Sequence, residues 1–190
     1  QQVKFLQIAQ AAAKRLDGLV SDLLDLSRLE GGAKMELRAL DLAELIGQSV
    51  EGHQPAAAEG AKTLAWTPSA RLPKAVGDRR WLGLVVDNLI SNALKFTKPG
   101  GTVTIAARGK GEFLLVEVCD DGIGIPAVDR EKIFDRFYRA SNRAEVNASG
   151  TGLGLAIARE VVAKHAGKIW FDSEPGRGTT FRVGVPVYRG

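Results

Sequence analysis

The 190-residue sequence has one cysteine, Cys119, and two histidines. A single thiol cannot build an internal disulfide framework, and without partner cysteines it cannot anchor a zinc cluster. A reducing compartment, the cytoplasm, is therefore expected, with Cys119 a small buried hydrophobe. No apolar run approaches the roughly 20 residues that cross a bilayer, and the N-terminus lacks the apolar core of a signal peptide. This segment is expected to make no membrane contact. The chain opens in mid-pattern with QQVKFLQIAQ and has no initiator Met, as expected of an excised piece whose parent is free to be membrane-anchored. Charge of one sign is also in short supply. The net charge is +4, the basic residues are scattered, and aromatics make up 6% of the chain, so no aromatic-interleaved basic stripe exists. Nucleic acid is not an expected partner.

What is present is an ordinary core-forming composition, 45% hydrophobic and 25% charged, long enough for one buried domain plus an appended element. Phe5, Ala9, Ala12, Leu16, Leu19, Leu23 and Leu26 follow one another at alternating helical steps, an apolar seam that Ile8, Ala13, Val20 and Leu24 widen toward a helical bundle. The seam stops at Gly31 and Gly32 and calls for an outside partner helix. Packing on the chain's own globular part is the competing reading.

Beyond it, alternation over 34–40 predicts a strand, and Asp41 offers an N-cap for a helix running to Gly60. A short strand is expected over 62–66, followed by a loop holding Pro68 and Pro73. The apolar face of Leu82, Val85, Val86, Leu89, Ile90 and Ala93 predicts a central helix over 79–96. A turn at 98–101 and a hairpin of 102–108 with 112–119 come next. The polar stretch 127–149 reads as a long mobile loop with one short helix, a lid. A helix over 152–166 and strands over 168–172 and 179–187 complete the chain. The expected class is α+β: a two-layer sandwich of a mixed, mainly antiparallel sheet covered by helices, preceded by a long N-terminal helix.

Three segments carry chemistry. GTGLGL, Gly150 to Leu155, is a glycine-rich helix start of the kind whose backbone N–H groups hold phosphate, yet it is neither a Walker A loop nor a dinucleotide fingerprint. CDDGIGIP, Cys119 to Pro126, places a carboxylate at a strand end. DNLISNALKFT, Asp87 to Thr97, sets Asn88 and Asn92 four apart on one helix face with Lys95 nearby. Two amides and a lysine on an otherwise apolar helix point to a polar ligand above them, or to amides that cap a neighbouring loop.

Taken in order with IFDRFYRA at Ile133 to Ala140 and GRGTTF at Gly176 to Phe181, these segments resemble the N, G1, F, G2 and G3 boxes of sensor histidine protein kinases, within the gyrase, heat-shock chaperone and histidine kinase ATPase superfamily. The resemblance spans residues 35–186, and SDLLDLSRLEGG, Ser21 to Gly32, resembles the end of the second helix of that family's dimerisation hairpin. It implies residues 1–32 as part of that hairpin and 33–190 as a catalytic ATP-binding domain.

The resemblance implies ATP and Mg²⁺ as cofactors. Asp120 would accept from the adenine amino group, with Gly122 and Gly124 keeping the backbone out of the base's way and Ile125 beside it. A threonine of GRGTTF, Thr179 ahead of Thr180, would support the same edge through water. Asn92 would be the metal ligand, with Asn88 assisting. Lys95, Tyr138 and Arg139 would meet phosphate or ribose, and Gly150, Thr151, Gly152, Leu153, Gly154 and Leu155 would form the phosphate loop. Asn88, Asn92, Lys95 and Arg139 would serve catalysis.

The superfamily's hydrolases carry a glutamate four residues before the metal asparagine. Here that position is Asn88, which is no base. Transfer of the γ-phosphoryl group to a histidine outside this sequence is thus implied over hydrolysis, with a nucleotide-binding regulatory or pseudokinase module as the alternative. The implied partners are the hairpin helix bearing that histidine, a second copy of the parent as a homodimer, and a response regulator receiver domain. Neither His53 nor His165 stands in an acceptor motif. A structural role is expected for both, with His165 as a cap at a helix C-terminus.

Overall fold

The computed structural model describes residues 2–69, 71–146 and 150–189. The long leading helix α1, Gln2–Glu30, ends where the seam does. Gly32 takes φ 75°, Ala33 N–H donates to Arg28 O at 3.0 Å and Gly32 N–H to Leu29 O at 3.4 Å, the paired bonds of a Schellman stop. Helix α2, Leu42–Glu59, is capped by Asp41, whose Oδ1 accepts from Ala43 and Glu44 N–H at 3.0 and 3.1 Å. Helix α3, Arg79–Phe96, is capped by Asp78 in the same way, and its apolar stripe is buried from Trp81 to Leu94. Helix α4, Gly154–Lys164, begins two residues later than the glycine pattern suggests.

Strands β1 (Arg38–Leu40) and β3 (Ala75–Gly77) form a small antiparallel ladder. Strands β2 (Thr63–Thr67), β4 (Thr102–Lys110), β5 (Phe113–Asp120), β6 (Lys168–Glu174) and β7 (Gly178–Pro186) form the main sheet in the order β2-β4-β5-β7-β6, with only β2 and β4 parallel. Helices α2, α3 and α4 pack on one face of it. That face is lined by the alternate residues Val103, Ile105, Leu114, Val116, Val118, Phe181, Val183 and Val185, all buried. The α+β sandwich expected from sequence is the fold observed.

Several expectations are corrected. The strand over 34–40 shrinks to Arg38–Leu40 because its partner β3 ends in the cap of α3, and the next free donor, Glu36 N–H, goes to Asp78 Oδ2 at 2.9 Å instead of to a ladder. Strand β3 itself lay hidden in what read as a proline-flanked loop. Cys119 is exposed, not buried. Strand β5 alternates, so with Val118 and Asp120 turned to the helix face, Cys119 must stand on the outer face. There Arg182 pairs with Glu117 at 2.7 Å and with Asp172, and Arg108 pairs with Glu117 at 2.8 Å.

The leading helix packs on the chain's own globular part at its C-terminal end, one of the two readings of its seam. Leu26 and Leu29 are buried in the main core, α1 packs on α4, and ion pairs tie Glu30 to Arg136 at 2.5 Å and Asp25 to Arg80 at 3.2 Å. Leu16, Val20, Leu23 and Leu24 remain exposed on the same helix. The side chains of Phe5 and Ile8 lie outside the described residues.

His165 does act as a cap, in a neutral form. Buried at the end of α4, it donates from Nδ1 to Val161 O at 2.8 Å, and its Nε2 accepts the Asp78 N–H at 3.0 Å, so α4 is tied to the start of α3. His53 spends Nδ1 on Ser49 O, one turn back on α2.

Candidate functional site

One cleft gathers the three chemical segments. Its walls are α3, the start of α4, the ends of β5 and β7, the 124–143 stretch and one residue of α1. Of the residues expected from sequence, Asn88, Asn92, Lys95, Asp120, Gly124, Ile125, Tyr138, Arg139, Gly150, Thr151, Gly152, Gly154, Leu155 and Thr179 all line it. Gly122 and Leu153 do not. Leu153 is fully buried in the core, where it anchors the loop from beneath. Gly122 is a glycine because a Cβ there would overlap the Phe96 carbonyl, and Gly124 because one would overlap the Glu174 carbonyl. Both glycines let protein segments approach one another, which differs from the expectation that they clear space for a base.

Asp120 sits at the end of β5, 6% exposed. Its Oδ1 accepts from Gly122 N–H at 3.0 Å and Thr179 N–H at 3.3 Å, and no other hydrogen bond reaches the carboxylate from the described residues. Burial pushes its pKa up to about 6, against the pull of those two N–H groups, and the neighbouring Asp121 adds to the rise. Around it the wall is continuous: Ile125 N–H donates to Ser173 Oγ at 2.8 Å, and Ser173 Oγ shares a 2.9 Å bond with Thr179 Oγ1. A rigid carboxylate with Oδ2 left over is suited to one N–H donor on a ligand.

Across the cleft, Asn88 and Asn92 present their amides from α3, and neither makes a hydrogen bond to the described residues. Asn88 Nδ2 is buried without a partner. A Cβ on Gly154 would stand 2.9 Å from Asn88 Oδ1, so the first turn of α4 approaches this amide closely only because residue 154 is glycine. The amides therefore do not cap a loop. The buried Asn88 Nδ2 left unpaired costs about 1 to 3 kcal/mol, which a polar ligand would recover. Lys95, on the same helix, is partly desolvated at the cleft edge, which lowers its pKa, while Asp22 opposes the fall.

Three residues that sequence reasoning passed over shape the rest. Asp22 of α1 reaches the cleft, and its Oδ2 accepts from Thr151 Oγ1 at 2.6 Å. Asp129, 3% exposed, accepts from Tyr138 Oη at 2.7 Å and from Ser141 N and Oγ at 2.9 and 2.8 Å. Its burial would raise the pKa, but the bonds from Ser141 and Tyr138 outweigh it and hold the carboxyl below the ordinary range. The Tyr138 hydroxyl is thereby committed to Asp129, so the ring, not a donated O–H, is what that residue offers a ligand. Asn142 lines the cleft as well. The stretch expected to be a mobile lid thus holds two 3₁₀ turns, Ala127–Asp129 and Ser141–Val146, stitched by one buried carboxylate; residues 147–149 of that stretch lie outside the described residues.

A profile of the histidine kinase-, DNA gyrase B- and HSP90-like ATPases matches residues 77–189, which holds α3, β5, the glycine loop and β7. The chain belongs to this ATPase family. Among curated proteins it is 41% identical to Drug sensory protein A of Synechocystis over 98% of this chain and 29% of that protein, and 37% identical to the sensor histidine kinase WalK of Bacillus subtilis over 96% and 30%. The chain spans less than half the length of these relatives. Among solved structures it is similar to full-length ShkA in complex with AMPPNP, with TM-score 0.83, 29% identity, all of this chain and 39% of that one. It is also similar to the mycobacterial sensor histidine kinase MprB, with TM-score 0.69, 28% identity, 81% of this chain and 99% of that one. No helix among the described residues is long and apolar enough to cross a membrane.

Proposed function

We propose that this chain is the ATP-binding catalytic part of a two-component sensor histidine kinase, with residues 33–190 binding nucleotide and residues 1–32 belonging to the dimerisation hairpin. The observation that carries the reading is the pair of amides, Asn88 and Asn92, that line the cleft from α3 with no hydrogen bond to the described residues, in the same cleft as the buried carboxylate of Asp120. One end of the cleft suits an adenine amino group and the other a phosphate chain. Asn92 Oδ1 would hold Mg²⁺ together with phosphate oxygens and water. No cluster of three or more His, Cys, Asp or Glu exists among the described residues, which fits an ion held mainly by phosphate and not by a protein cage. Asn88 Nδ2, Lys95 and Arg139 would meet phosphate, as would the first turn of α4 at Gly152 to Leu155.

The family's ATP site also serves hydrolases, so the direction of phosphoryl transfer rests on this chain's own groups. Asn88 cannot deprotonate water, and the neighbouring Asp87 lies about 100° around the helix from it and does not line the cleft. An acceptor that brings its own base is required: a histidine on the first hairpin helix of a homodimeric cytoplasmic assembly, whose phosphate passes on to a receiver domain. The likeness to WalK and MprB supports this assignment.

Two measurements test it. Incubated with labelled ATP, the chain alone should label itself negligibly and hydrolyse slowly, and an added hairpin carrying the acceptor should gain an acid-labile, base-stable label. Labelling of His53 or His165, or an acid-stable label on the hairpin, would overturn the reading. The second concerns Asp22, a carboxylate at the mouth of a site for a polyanion, bonded to the Thr151 loop and facing Lys95. A like charge there costs a phosphate chain about 1 kcal/mol. Asp22→Ala should therefore bind ATP roughly 5-fold tighter while adenosine affinity stays unchanged. Equal gains for both ligands, or none, in calorimetry would remove Asp22 from the phosphate end.

A further inference from the structure

Asn142 lies in the second 3₁₀ turn of the lid, outside every motif that pointed to the site, and its amide is held in one orientation. Its Nδ2 donates to Gly124 O at 3.0 Å, and since a carbonyl oxygen only accepts, the opposite end of the amide must be Oδ1. That oxygen is buried, belongs to a residue that lines the cleft, and has no hydrogen-bond partner among the described residues. We propose that Asn142 is a nucleotide-specificity residue whose Oδ1 accepts a hydrogen bond from a donor on the nucleoside half of the ligand, either the base amino group or a ribose hydroxyl. The proposal rests on the nucleotide reading of the cleft.

The chemistry of the free group decides which half of the ligand it meets. Phosphate oxygens at neutral pH are acceptors and would repel a carbonyl oxygen, so the phosphate chain offers Oδ1 nothing. A nucleoside carries N–H and O–H donors. Position agrees. Gly124, which holds the amide, belongs to the wall that runs through Ile125, Ser173 and Thr179 to Asp120, the end assigned to the base. The amides on α3 and the glycine loop of α4 define the other end. Asn142 thus joins the second 3₁₀ turn to the base-side wall with one half of its amide and leaves the other half for the ligand.

The test is a cycle of protein and ligand changes by calorimetry. The wild-type chain and Asn142→Ala are each titrated with ATP, 2′-deoxy-ATP, 3′-deoxy-ATP and the triphosphate of purine riboside, which lacks the 6-amino group. Loss of the tether to Gly124 weakens every ligand by one common factor, and the acceptor shows only in the ratio between ligands. Asn142→Ala should lower ATP affinity about 10-fold beyond its effect on one of the analogues, and that analogue names the donor: the amino group if purine riboside triphosphate is spared, a hydroxyl if a deoxy nucleotide is. The excess should persist without magnesium. Equal factors for all four ligands within about twofold would reduce Asn142 to a lid tether and overturn the proposal. An excess that is lost when magnesium is withheld would make Oδ1 a metal ligand and overturn it too. Failure of the wild-type chain to bind ATP at all would instead overturn the nucleotide reading on which it stands.

Discussion

Asp120→Asn should lower ATP affinity by roughly 100-fold or more and at the same time make the folded chain more stable at neutral pH, because the two effects come from one buried carboxylate. The variant keeps an oxygen for the Gly122 and Thr179 N–H groups, so the backbone that rests on Oδ1 is preserved. Where Oδ2 was, it presents an NH₂. An adenine amino group then meets a donor instead of an acceptor, and neither can be satisfied in a site that water does not reach freely. The stability change follows from the pKa. Folding raises it from 3.8 to about 6, so the stability contributed by the protonated carboxyl is fully present below 3.8 and is lost as pH rises through about 6. Above that, holding Asp120 ionised costs on the order of 3 kcal/mol. Asparagine mimics the protonated acid at every pH. Urea unfolding at pH 7.5 should therefore show a higher midpoint for the variant, and the gain should shrink toward zero near pH 4. A variant that binds ATP normally would sink the role of Asp120, and one destabilised at pH 7.5 would sink the account of its pKa.

How much of this was legible depended on whether a residue's role is set locally. Helix α3 was read to its first and last residue because its apolar stripe is a periodic signal carried within the helix itself. The five boxes placed most of the cleft because the resemblance rests on their order and spacing along the chain, which can be read without the contacts that the glycines make. Asp129 was invisible, since a lid aspartate among many charges gives no sign that Tyr138 and Ser141 will fold over it. Asp22 and Asn142 were missed because their partners, Thr151 and Gly124, are 129 and 18 residues away, and only the closed fold supplies them. Strand β3 escaped because three residues are too few to show a period. Cys119 was legible and misread: once Asp120 was assigned to the pocket, strand alternation already required its neighbour to face outward.

Asn92→Ala should reduce transfer to an added acceptor hairpin by about 100-fold or more while changing adenosine affinity little, because the residue lies one turn from Asn88, the amide that abuts the glycine loop proposed to hold phosphate. Asn92 has no hydrogen bond to the described residues, so its removal breaks none of their hydrogen bonds, and its half-buried position on α3 leaves only a small gap. The variant should therefore unfold within about 0.5 kcal/mol of the wild type. Any loss of activity then belongs to the ligand and not to the scaffold. Asn92 Oδ1 would be the protein's ligand to Mg²⁺, an ion that would supply counter-charge to the phosphate chain, and the variant would lack that ligand. Raising magnesium should recover binding of ATP but not the rate at saturation, which separates a missing metal ligand from a simple loss of affinity. Asn88→Ala is the control on the neighbouring turn: if Asn88 Nδ2 meets phosphate, that variant should lose ATP affinity without a change in magnesium dependence. Transfer by Asn92→Ala within about twofold of the wild type would assign the metal to another residue.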